Sequence, residues 1–149
     1  MKNNLALFIF FSLFSLESVF SQSIDYEKVM NEITQMSNDY SGVLNTRQTW
    51  QVSYEGCELT DRYYFDNELT LVVNIDLANM DMVKVEERFI NSIALYPKDK
   101  NVDYLDVIRY ENGRAEKIVD GVYYNLMVVP DLREKARRKM QQAIELCTK

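Results

Sequence analysis

At Pro130 the hydrophobic period of this 149-residue chain changes from two to between three and four, so the chain passes from strand to helix there. Beyond it, Leu132, Ala136, Met140, Ala143, Ile144 and Cys147 recur at three- and four-residue intervals, which places them on one helical face. Asp131 can accept hydrogen bonds from the first free amides, and Glu134, three residues later, completes an acidic capping box. The apolar face must be covered. Almost everything in residues 48–129 reads as strand, so the cover is a β-sheet.

Trp50, Val52 and Tyr54 alternate with Gln51, Ser53 and Glu55, a strand with one wet face. Gly56 marks a turn, Glu58 to Phe65 is the second strand, and Asp66-Asn67 is the next turn. In the third strand Leu69, Leu71, Val73, Ile75 and Leu77 point one way, with Val72 the exception on the other side. A turn at Asn79-Met80-Asp81 leads to strands at Met82 to Glu87 and Arg88 to Tyr96, the latter ended by Pro97. Tyr104 to Tyr110 and Val122 to Val129 follow, with hairpin signals at Asn112-Gly113 and Asp120-Gly121 and a brief extra strand at Ala115 to Val119.

Upstream, Tyr26, Val29, Met30, Ile33 and Met36 share a face, which predicts a helix over 24–37 that breaks at Asn38-Asp39-Tyr40-Ser41-Gly42. Residues 1–21 read as a signal peptide. Lys2 begins it, Leu5 to Leu16 is apolar and too short to span a bilayer comfortably, and Val19-Phe20-Ser21 suits cleavage. Its removal takes one base, Lys2, and one acid, Glu17, so the net charge stays −6. Residues 22–149 then form one α+β domain: an N-terminal helix, about seven antiparallel strands in a bent sheet or partly open barrel, and a C-terminal helix packed on it.

This order resembles the pleckstrin-homology-like barrel, in which seven strands form two near-orthogonal sheets and one helix crosses an open corner. The resemblance covers residues 48–147 and rests on strand count and on the final helix ending Ala143-Ile144-Glu145-Leu146-Cys147. The chain is also similar to uncharacterised small secreted bacterial domains, which brings no activity with it. Phosphoinositide binding in the resembled class uses bases around the first hairpin, where this chain has Glu55-Gly56-Cys57-Glu58. Trp50 follows Gln48-Thr49 rather than the Gly-x of the lipocalin motif.

Cys57 and Cys147, an even count without redox or metal spacing, point to a structural disulfide in an oxidising compartment. Free thiols or intermolecular pairing are the alternatives. The chain contains no histidine, which removes imidazole bases and the commonest zinc ligand. Asn74, Asp76, Asn79 and Asp81 lack the glycine and terminal glutamate of a calcium loop. Asp61, Asp76 and Asp81 are the remaining candidates for carboxylate chemistry, and on wet strand faces and in turns they read as ordinary solvated acids. No catalytic residue, cofactor or metal is expected.

Two features suit a partner surface. Tyr63-Tyr64 and Tyr123-Tyr124 each send one ring to either side of a sheet. The last helix carries Arg133, Lys135, Arg137, Arg138 and Lys139, which Asp131–Lys135 and Glu134–Arg138 pairs would partly neutralise. The expectation is a secreted or periplasmic, non-enzymatic binding module whose partner is a protein or a surface, not nucleic acid. No membrane span is expected in the mature chain. A carrier with an apolar cavity between sheet and helix is the alternative.

Overall fold

A computed structural model describes residues 25–42, 47–87, 90–99, 105–111, 114–118 and 123–148. The predicted signal peptide, both later hairpin turns and Tyr104 lie outside them. Helix α1 (25–42) precedes strands β1 (Gln48–Glu55), β2 (Glu58–Phe65), β3 (Glu68–Asp76), β4 (Met80–Lys84), β5 (Ser92–Pro97), β6 (Leu105–Glu111), β7 (Arg114–Ile118) and β8 (Tyr124–Met127). Helix α2 (Arg133–Cys147) closes the order. All strand pairs are antiparallel, in a five-stranded sheet ordered β1-β2-β3-β6-β7 and a three-stranded sheet ordered β4-β5-β8. The α+β expectation holds: eight described strands, against about seven expected, lie in two sheets that form no closed barrel. The brief strand at 115–119 is β7.

Tight turns set the registers. Glu55 pairs with Glu58 across Gly56, whose φ of 54° is costly for any residue with a Cβ. Phe65 and Glu68 flank Asp66 and Asn67, both left-handed at φ 51° and 68°, the twist that matches a hairpin. Between Tyr63 and Tyr64 the β2–β3 register slips, so Tyr63 faces Leu71 but Tyr64 faces Leu69. That bulge carries Leu69 to the same face as Tyr64, correcting the unbroken alternation expected for β3. The turn expected at 79–81 is displaced to Leu77–Asn79, where Asp76 accepts from the Ala78 amide and the Asn79 side chain. Met80, fully buried, already belongs to β4.

One core draws on both sheets and both helices, including Met30 and Ile33 of α1, Leu59 and Ile75 of the larger sheet, Ile93, Leu95 and Leu126 of the smaller, and Met140 and Ile144 of α2. Ala136, Met140, Ala143 and Ile144 are the buried positions of α2, on the face expected for it. Its start is different. Residues Pro130–Leu132 form a 3-10 turn, and no side chain caps α2. Asp131 therefore sits before the helix proper, too early for a capping box with Glu134.

The two helices also close two sheet edges. An outer strand exposes unpaired backbone amides and carbonyls. On α1, Asn38 donates to the Val52 carbonyl at 2.9 Å and accepts from the Val52 amide at 2.7 Å, while Ser41 accepts from the Trp50 amide at 2.8 Å. On α2, Gln141 accepts from the Val83 amide and donates to the Asp81 carbonyl, both at 3.0 Å. This explains why α1 runs through 38–42 instead of breaking there: those polar side chains serve β1, and Tyr40 packs edge-on against Trp50. Asn38→Ala should cost about 2 kcal/mol in urea unfolding, since both Val52 backbone groups lose their partner. An unchanged midpoint would mean that the β1 edge is satisfied some other way.

Cys57 and Cys147 are joined, with Cα atoms 5.8 Å apart. The bridge ties the β1–β2 turn to the end of α2, and Tyr26 of α1 donates to the Gly56 carbonyl of the same turn at 2.6 Å. Among the described residues, no helix is long and apolar enough to cross a membrane.

Candidate functional site

The tyrosine pairs separate as their parity requires, but not onto one surface. Tyr64 is half-buried on the face of the larger sheet opposite Tyr63. Tyr63 and Tyr124 turn inward, their hydroxyls 3.0 Å apart across the space between the two sheets. Tyr123 stacks on Tyr96 at 5.2 Å, and Lys84 stands 4.9 Å from the Tyr96 ring centre from the strand on its other side. The four tyrosines do not form one patch.

The basic cluster is also largely spoken for. Lys139 and Lys135 both reach Glu32 of α1, at 3.2 and 3.5 Å. Arg137 pairs with Glu134 three residues back at 2.9 Å, and Arg138 donates to the Glu134 carbonyl at 3.4 Å. Arg133 extends to the Glu86 carbonyl. The expected Asp131–Lys135 and Glu134–Arg138 pairs are replaced by these, because α1 brings Glu32 alongside α2. Lys135 and Lys139 fasten helix to helix, whereas Arg137 and Arg138 bond within α2 itself.

Asp61 is the largest departure from the sequence reading. Its place on β2, two residues from Leu59 and two from Tyr63, puts it on the inner face, where it is fully buried. The Tyr124 hydroxyl donates to Oδ2, whereas Oδ1 has no hydrogen-bond partner. Loss of hydration pushes its carboxyl up to about 6, against the opposing pull of the Tyr124 and Tyr63 hydroxyls and the charge of Arg62. The same burial, with the carboxylate beside them, drives both tyrosines upward. The period-two pattern Leu59, Asp61, Tyr63 already places Asp61 with the inward residues, although its residue type suggests a solvated acid. Asp76 holds a turn and Asp81 is exposed, so the three candidate carboxylates lie apart in role and place.

An open cleft of about 410 Å³ lies on the β6–β7 hairpin, lined by Arg109, Glu111, Arg114 and Glu116. Arg109 opposes Glu116 and Glu111 opposes Arg114, so signs alternate along each strand and across the pair. The lining is charged, and neither an apolar carrier site nor Asp61 belongs to it. β7 is the last strand of the larger sheet, with Arg114 to Lys117 exposed. Hence β1 and β4 are edges covered by helices, while β7 carries the cleft on a strand that nothing pairs with on its outer side among the described residues. β8 ends the smaller sheet but is only four residues long.

No group of three or more Cys, Asp or Glu residues suited to a metal ion occurs among the described residues. Comparison of the chain with protein families, with curated proteins and with solved structures finds no match.

Proposed function

We propose that the chain is a non-enzymatic interaction module that works outside the cytoplasm, exported by its first 21 residues, with β7 as its binding edge. The observation that carries this reading is the unequal treatment of edges. Asn38 and Gln141 close β1 and β4 with side-chain amides, whereas β7, among the described residues, keeps its outer backbone groups unpaired beside four charged side chains. Such an edge binds by adding a strand: main-chain bonds supply affinity and alternate side chains supply selection. The Cys57–Cys147 bridge suits an oxidising compartment. Tyr63, Tyr124, Lys135 and Lys139 are engaged within the fold, which turns this reading toward β7 as the partner surface.

A photo-cross-linking side chain placed at exposed Ala115 on β7 and, separately, at exposed Gln142 on α2 tests the edge. Adducts should form in several-fold excess from position 115. Equal yields from both positions would remove β7 as the binding edge.

A further inference from the structure

From the register and charges of β7 we infer that its strand partner is β7 of a second copy of this chain, joined antiparallel about a two-fold axis at Ala115. The inference rests on β7 being the binding edge. Antiparallel pairing centred on residue 115 sets Arg114 opposite Glu116 of the second copy, and Glu116 opposite Arg114. Within each copy Glu111 already opposes Arg114 and Arg109 opposes Glu116. Each row across the joined sheets therefore reads Glu111, Arg114, then Glu116 and Arg109 of the second copy. Acid and base alternate through four strands, and symmetry repeats the row on the other side of the axis.

The other centres on β7 are worse. An axis at Arg114, Glu116 or Lys117 sets that charge against itself, and directly opposed like charges are destabilising. An axis at Ile118, the last residue of β7, no longer sets Arg114 opposite Glu116. At Ala115 the residue on the axis is small and uncharged. Charged edges ordinarily deter pairing, but an edge whose charges complement themselves under rotation deters only strangers. Lys117 does not disturb the row: it lies on the other face and pairs with Asp106 at 2.9 Å. With the axis at Ala115, only residues 114–116 of the two β7 strands lie opposite one another, so the seam is short and association should be weak and concentration-dependent.

Sedimentation equilibrium of the disulfide-bonded protein tests this with two charge reversals, Arg114→Glu and Glu116→Arg, each checked for native circular dichroism. Wild type should show a monomer–dimer equilibrium. Either variant alone should dimerise at least about tenfold more weakly, because both cross-copy pairs become repulsive. An equimolar mixture should recover wild-type association. In the mixed dimer the glutamate introduced at position 114 meets the arginine introduced at position 116, and the native Glu116 meets the native Arg114. Wild type monomeric to millimolar concentration, variants that dimerise like wild type, or a mixture without recovery would each overturn the inference. Cross-links from position 115 to a different protein, with no self-association, would likewise overturn it while leaving β7 as the binding edge.

Discussion

Replacing both Cys57 and Cys147 with Ser lowers the unfolding free energy by about 4 to 5 kcal/mol, as measured by urea titration against the oxidised wild type. The bridge spans a separation of 90 residues, and its contribution comes mainly from the freedom it denies the unfolded chain. It holds the end of α2 to the β1–β2 turn, and α2 supplies four buried side chains to the core and the Gln141 bonds to β4. A domain of this size is commonly stable by only about 5 to 15 kcal/mol, so the reduced form should sit near its unfolding threshold. A loss below about 1 kcal/mol would show that the ends are already held together in the unfolded ensemble.

Asp61→Asn makes the protein more stable than wild type at pH 8 and removes a pH dependence that wild type shows between about pH 4 and 6. The sign follows from burial. In the folded protein the carboxyl is raised from its ordinary 3.8 to about 6, so the folded state holds its proton more tightly than the unfolded chain. The stabilisation from that proton is complete below about pH 4 and is lost as pH rises through 6. The two-unit difference corresponds to about 3 kcal/mol. Asparagine keeps an acceptor for the Tyr124 hydroxyl but has no charge to desolvate. Thermal melts of both proteins from pH 4 to 8 check this; parallel curves would place the titrating group elsewhere. The unpartnered Oδ1 adds to the cost of the charged form.

The elements that repeat were legible in the sequence. The α2 face, the disulfide, the first two hairpin turns and the α+β order follow from periodicity, cysteine count and turn chemistry. What escaped is tertiary. Asn38 and Ser41 look like helix breakers until β1 lies beside them, and Glu32 looks solvated until α2 brings Lys135 and Lys139. Leu69 obeys the alternation by type, yet a bulge moves it, because register depends on both strands. Asp61 faced inward by parity, but the composition of its strand hid the fact. The β6–β7 cleft carried no motif; its meaning lies in the pairing Arg109–Glu116 and Glu111–Arg114, which only the hairpin register supplies.

The most direct test of β7 as a self-pairing edge is amide hydrogen exchange across β6 and β7 at low and high protein concentration. Amides along the outer edge of β7 should exchange more slowly as concentration rises, while the rest of the larger sheet stays unchanged. Exchange along β7 that is fast and independent of concentration would contradict the account.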